Sequence, residues 1–305
     1  MAKHNKADAR PEIYTAGGQA VIEGVLIRAK NSLAIAVRKP NGKIAIKKEA
    51  LNPLALRYYA LGLPIIRGTV NLIEMLSIGF KAMTYSANQA GGEEGELSMT
   101  ELVVTIGLSL LIAIALFKLL PLFITNYAYR YFSGLSSGYY LYNILDGTIK
   151  ILLFIAYVSL IGRMKDVKRL FMYHGAEHQA VHCYEAGKPL TVKNVQKYRP
   201  EHPRCGTSFI IIVLITSIII YTFIPQETLF WNKLLLRLAL LPVIAGIAYE
   251  ILRFAGKHYD TRIMRMVSLP GVLMQKITTK KPDRKQIEVA LAALNAVLAM
   301  EARKR

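Results

Sequence analysis

Leu102–Ile124, LVVTIGLSLLIAIALFKLLPLFI, carries one charge, Lys118, and is apolar on every side. A helix of this kind must be surrounded by protein or lipid, and at about 1.5 Å per residue it can cross a hydrocarbon core about 30 Å thick. Ser208–Ile224, SFIIIVLITSIIIYTFI, has no charge at all. Its β-branched richness fits a buried strand, but strands rarely run so long, so it reads as a second span. Tyr142–Gly162, with Asp146 and Lys150 one turn apart, and Leu234–Phe254, with Arg237 and Glu250, read as two more. Their charges must snorkel or pair. The expected fold is therefore a mainly α-helical polytopic membrane protein, with about four transmembrane helices and a small N-terminal β element.

Charge then orients the spans. The 305 residues are 53% hydrophobic yet carry a formal net charge of +19, a combination unusual for a soluble enzyme and more typical of a membrane protein or nucleic-acid binder. With four spans, 13 Lys and Arg fall in residues 1–100, one in 125–141, nine in 163–207, none in 225–232 and twelve in 253–305. The positive-inside rule makes the rich side cytoplasmic. Both termini and the 163–207 loop share that side, and the expected localisation is the cell membrane, multi-pass. MAKHNKADARPE at the N-terminus is polar, so no signal peptide is expected. Topology explains the basic excess, and no nucleic-acid motif accompanies it.

Residues 1–50 are expected to form the β element. Ser32–Arg38 and Lys43–Lys48 flank Pro40-Asn41-Gly42, a hairpin signal, and Gln19–Arg28 reads as a further strand. Residues 51–97 hold amphipathic helices and an acidic linker. Arg67, Asn71, Glu74 and Lys81 share one face of a helix that either lies in the membrane interface or packs on the β element. Ala90–Glu96 is the flexible linker, and Ser98–Glu101 a capping box that starts the first span. The membrane domain covers 98–254 and includes the His-rich loop 163–207. A basic C-terminal region, 255–305, ends in a helix over Asp283–Ala302, striped by Ile287, Ala290, Leu291, Leu294, Val297 and Leu298. Glu250 and Arg253 read as an ion pair one turn apart. Gly17–Gly24 is glycine-rich but lacks the Gly-Lys-Ser/Thr of a phosphate loop.

Three of the six histidines recur every fourth residue in Tyr173–Gly187, YHGAEHQAVHCYEAG. Met164, Val167, Phe171, His174, His178 and His182 form one stripe, so the imidazoles continue an apolar face and point inward. Buried imidazoles need partners for their nitrogens, either hydrogen bonds or a metal. Adjacent members can share one ion, but all three span about 12 Å along the axis, too far for a single site. His174-Gly175-Ala176-Glu177-His178 has the H-x-x-E-H order, in which two histidines hold zinc and the glutamate activates water. Further donors are nearest in Pro200–Gly206, with His202 and Cys205. The expected centre is thus zinc, or another divalent transition metal, on His174, His178 and His202. Cys205 is a potential fourth ligand, Glu177 the catalytic base, and His182 packs behind. Both cysteines, Cys183 and Cys205, would be thiols in the reducing cytoplasm.

GGQAVIEGVLIR (17–28), the IIRG…NLIEML…GFKAM run (65–83), YHGAEHQAVHCYEAG and HPRCGTSF (202–209) together resemble the YqhQ family, bacterial membrane proteins described as predicted metal-dependent enzymes. The resemblance runs from about Tyr14 to the C-terminus and implies that these blocks form one architecture around a metal. It names no substrate.

Two functions follow from ligand chemistry. Three protein ligands and an open position would make a zinc-dependent hydrolase acting on a peptide, lipid or other amphiphile at the cytoplasmic membrane boundary. Closure by Cys205 would make a structural site, suited to a scaffold or a protein-biogenesis factor. Beyond the lipid bilayer, the partners would then be another membrane protein, a translocon or a ribosome.

Overall fold

The structure, a computed structural model, describes residues 16–91, 99–131, 139–224, 229–259 and 261–303. The N-terminal stretch 1–12, most of the acidic linker and Ser98 of the capping box lie outside the described residues. The chain is mainly helical, with one small antiparallel sheet near its N-terminus.

Strands β1 (Gly17–Val21), β2 (Gly24–Arg28), β3 (Ser32–Arg38) and β4 (Ile44–Ala50) pair in sequence order. The hairpin expected around Asn41-Gly42 is present, with Gly42 at φ +80° supplying the turn. The single strand expected over Gln19–Arg28 is instead two, because the chain reverses at Ile22-Glu23 and Glu23 takes φ +51°. Large and small residues alternate along β3 for a packing reason. Leu33, Ile35 and Val37 meet Ala82 and Ile78 of one helix layer, whereas Ala34 and Ala36 face the other way, toward a helix that must come close. Both faces of β2 and β3 are thus covered.

The short helix α1 (Leu54–Arg57) leads to α2 (Ile66–Ala90), whose C-terminal half covers the Leu33 face. Three members of its expected polar stripe find partners on neighbouring elements, and the fourth, Lys81, is exposed. Arg67 pairs with Glu250, Asn71 Nδ2 donates to Tyr249 Oη over 2.9 Å, and Glu74 accepts from the Leu54 N–H. Ile73 and Leu76 remain exposed, at 62% and 64%. Glu250 therefore bonds across helices to Arg67, not to Arg253 one turn away.

Next come α3 (Met99–Ile114), a π-helical turn over Ala115–Leu119, and α4 (Leu120–Tyr131), followed by α5 (Tyr139–Ile161). Val103–Tyr131 and Leu141–Ile161 are long and apolar enough to cross a membrane. α6 (Lys165–Glu185) carries the histidines, and the short α7 (Val192–Val195) follows it. The expected span at 208–224 is α8 (Gly206–Tyr221), a helix of 16 residues, which at about 1.5 Å per residue is shorter than a full bilayer crossing. The expected span at 234–254 is two helices, α9 (Phe230–Ala239) and α10 (Leu241–Lys257), bent by 43°. Pro242, without an N–H, sits at that break. Counted as one span, the pair gives a third membrane-length element.

The C-terminal region is more than a basic tail. α11 (Arg262–Thr278) packs on α8 and α10, and α12 (Arg284–Arg303) closes over the Ala34/Ala36 face together with α6. Ile287, Ala290, Leu294 and Val297 are fully buried there, as the stripe predicts. Asp283 and Gln286 cap α12 reciprocally, each side chain accepting the other's backbone N–H. At the far end the Glu301 carboxylate accepts from the Asn31 N–H at 2.9 Å and from the Ser32 hydroxyl.

Since Ala36 is fully buried beneath α12, Ala36→Leu must overpack that interface and destabilise by about 1–3 kcal/mol. Thermal melting of the detergent-solubilised protein should fall by several degrees, while Lys39→Leu, on the exposed end of the hairpin, should change it little.

Candidate metal centre

Helix α6 presents His174, His178 and His182 on one side, but each ring finds a different partner. His174 Nδ1 lies 2.8 Å from the Thr278 carbonyl at the end of α11, and His178 Nδ1 2.5 Å from the Pro200 carbonyl. A carbonyl only accepts, so both imidazoles carry their proton on Nδ1 and present Nε2 as an acceptor. His174 Nε2 is 3.2 Å from Cys205 Sγ. Suitable donor atoms of His174, His178 and Cys205 all lie within 4.8 Å of one another.

His202 is used differently. Its Nδ1 accepts from the Arg204 N–H at 3.2 Å, so its proton sits on Nε2 and points to Glu185, 3.2 Å away. His182 and Glu185 join it in a second close group, where Arg204 also pairs with Glu185 and His182 Nε2 donates to the Glu201 carbonyl. The structure thus brings His174, His178, Glu177 and Cys205 together and sets His202 beside His182, ring centroids 4.4 Å apart. Cys183 stands away from the group, next to the Lys188 and Pro189 carbonyls.

Burial sets the protonation. Glu177 is 3% exposed, with a carboxylate oxygen 3.5 Å from His178 Nε2, and loss of solvent pushes its pKa up to about 7. The neighbouring His174 and the Gly18 N–H of β1 partly oppose that rise. Desolvation first, then neighbouring imidazoles, holds His178 well below the usual histidine range, and burial takes His202 to about 4. The Cys205 thiol rises to about 11, again through burial. His178 and His202 are therefore neutral at pH 7, the form that ligates metals.

Three supports lay outside the sequence reading. Gln275 of α11 accepts from the His202 N–H at 2.7 Å and donates to its carbonyl at 2.9 Å and to Ser208 Oγ, pinning the loop that delivers Cys205. Thr278 contributes only a carbonyl. Gly175 makes room for the chain, since a Cβ there would stand 2.1 Å from the Lys280 carbonyl oxygen. A glutamine on an otherwise amphipathic helix and a backbone oxygen leave no signature in sequence, although a glycine inside H-G-A-E-H does hint at close approach. A cavity of about 420 Å³ lies elsewhere, between α2 and residues 51–61, and no histidine lines it.

Two imidazoles fixed through backbone carbonyls, a thiol and a buried carboxylate define a site with the donor chemistry of a transition-metal centre, built where a sheet-and-helix body meets apolar helices. The chain belongs to the family described as "Protein of unknown function (DUF1385)", whose model matches residues 63–300. It is 33% identical over 316 residues to the "Uncharacterized protein YqhQ" of Bacillus subtilis (strain 168), an alignment covering 99% of this chain and 96% of that protein. No solved structure matches it. The family description assigns no activity.

The Glu177 carboxyl yields a pH prediction for chelator-treated protein. Its folded pKa is raised, so its favourable contribution is complete below the unfolded value near 4.5 and is lost as pH rises through about 7. Glu177→Gln should therefore gain stability relative to wild type between pH 5 and pH 8, by up to about 3 kcal/mol. Paired melting curves across that range measure it, and a constant difference at all pH values would contradict the assignment.

Proposed function

We propose that this chain is an integral membrane metalloprotein whose metal, zinc or another divalent transition ion, is held by His174 Nε2, His178 Nε2 and Cys205 Sγ. The observation that carries the proposal is the pair of Nδ1-to-carbonyl hydrogen bonds, which leave both Nε2 atoms converging with the thiol. Each bond fixes its ring and tautomer as outer partners do in metalloproteins. Three protein ligands leave a position open, and a metal there would supply Lewis acidity and acidify a bound water.

The carboxylate of Glu177 stands beside that position with a pKa near neutrality, suited to taking a proton and returning it. We therefore favour hydrolysis of an amphiphile, a peptide or lipid ester, at the cytoplasmic membrane boundary. A second reading, a structural metal in a scaffold or biogenesis factor, draws support from the way Gln275 clamps the His202 backbone and Ser208 on either side of Cys205. His174→Ala, His178→Ala and Cys205→Ser should each abolish stoichiometric metal in protein purified without chelator, whereas His202→Ala and His182→Ala should retain most of it. X-ray absorption should show one sulfur ligand. Glu177→Gln should keep the metal; loss of hydrolytic activity with metal retained supports the enzyme, and unchanged behaviour supports the scaffold. Wild-type protein devoid of metal would defeat both readings.

For topology we propose that the sheet, α6 and α12 are cytoplasmic, with α2 lying in the membrane interface. The polarity of α2 between Ile66 and Phe80 supports this placement, since Arg67 and Asn71 are spent on α10 while Ile66, Ile73, Leu76 and Phe80 are exposed. An impermeant thiol reagent on intact cells should label Tyr131→Cys and not Lys193→Cys, against the background of the buried Cys183 and Cys205. The opposite pattern would invert the proposed topology.

A further inference from the structure

A second concentration of buried charge lies among the apolar helices, and its sign is unbalanced. The ring of Tyr221 is surrounded by Lys150 of α5, Arg237 of α9 and Lys118 of the π-helical turn, at 5.1, 4.9 and 5.7 Å from its centroid. Among the described residues Asp146 is the carboxylate of this group, its Oδ2 2.5 Å from Lys150 Nζ and 2.9 Å from Arg237 Nη1. Three cations thus share one counter-charge. Lys233, one turn before Arg237, packs its ammonium 4.7 Å from the Tyr142 ring centroid. Apart from Lys118, these charged groups are almost wholly buried, Arg237 at 2% exposure.

Hydrogen bonding is incomplete in a telling way. Arg237 Nη2 reaches Asn143 Oδ1 at 3.3 Å, but Nε and Nη1 have no hydrogen-bond acceptor, the latter lying close to Asp146 without the alignment of a bond. A buried guanidinium with two idle donors, beside a carboxylate whose Oδ1 is also idle, is open to an acceptor from outside the chain. Asp146 is about 10 Å along α5 from Tyr139, and Lys150 about 16 Å, so the group is at the depth of the apolar side chains. Ionisable residues at such depth mark ligand paths or binding sites more often than structure. Two irregularities meet at the cluster, the π-helical turn that carries Lys118 and the 43° bend after Arg237. Such breaks recur at membrane binding sites. Lys118, half-buried, is the member nearest the surface of the bundle.

We propose that this cluster binds a phosphate group, carried by an anionic lipid or free, with Arg237 supplying the planar fork and Lys118 and Lys150 the flanking charge. The proposal needs the apolar helices to lie in a bilayer but does not depend on the metal centre. Because a chain of charge +19 attracts any acidic membrane, the test must separate this site from the basic surface.

Wild-type protein, Lys118→Met, Arg237→Lys and the surface control Lys193→Met would be placed in nanodiscs of phosphatidylcholine alone or with phosphatidylglycerol, and bound lipid read by native mass spectrometry after detergent release. Wild type and Lys193→Met should retain one anionic phospholipid and melt several degrees higher with phosphatidylglycerol. Lys118→Met and Arg237→Lys should bind it at least about tenfold more weakly. Arg237→Lys keeps the charge, so it remains informative if Lys118→Met misfolds. Saturable stabilisation by inorganic phosphate in zwitterionic detergent, without lipid retention, would assign the site to the free anion. Equal retention by wild type and both cluster variants, or no response to either probe, would overturn the proposal.

Discussion

The main chain leaving α11 crosses α6 at Gly175 so closely that no side chain fits between them. That crossing joins the two halves of the molecule. On one side it brings the Thr278 carbonyl to His174; on the other it hands the chain to α12, which seals the sheet. The Lys280 N–H also bonds the Phe171 carbonyl on α6, so the contact is fixed by a hydrogen bond as well as by shape. A methyl group at this point would displace the histidine partner and the sheet cover at once.

Much of this organisation could be read from sequence where one short-range rule sufficed. The Asn-Gly turn, the buried stripe of α12 and the apolar segments follow from local chemistry and periodicity. Hydropathy could not reveal that α8 is only 16 residues long or that Pro242 breaks the segment after Ala239, because a window average ignores where the backbone bends. The division of the imidazoles was also hidden. Helical spacing puts His174, His178 and His182 on one side, but the roles of their nitrogens are set by carbonyls of Thr278, Pro200 and Glu201, which any sequence supplies. His202 was assigned by proximity in the chain. Its Arg204 N–H and Glu185 contacts turn it elsewhere.

The two buried polar groups differ in how they meet the same constraint. Around α6 each imidazole gives at least one nitrogen a backbone or side-chain partner, so its burial carries little hydrogen-bonding cost. Around Tyr221 three cationic side chains gather on one carboxylate, and two guanidinium nitrogens lack an acceptor. The first arrangement is a rigid mould and the second an electrostatic deficit. Helices α6 and α11 hold the mould, α5 and α9 the deficit, and α8 links them, with Cys205 capping one end and Tyr221 at the other.

The bonds from Asn31 and Ser32 to Glu301 link residues some 270 positions apart, and every helix apolar enough for a bilayer is synthesised between them. The sheet leaves the ribosome first, yet its cover over Ala34 and Ala36 leaves last. In chain order, that face of the sheet is covered by α6 and α12, both of which follow the first apolar segments. Completion of the body is therefore timed by the last helix, and the same event delivers Thr278 to His174. The histidine site, with the Gly18 N–H at Glu177 and the Thr278 carbonyl at His174, therefore depends on residues that lie on either side of every described helix long and apolar enough to cross a membrane.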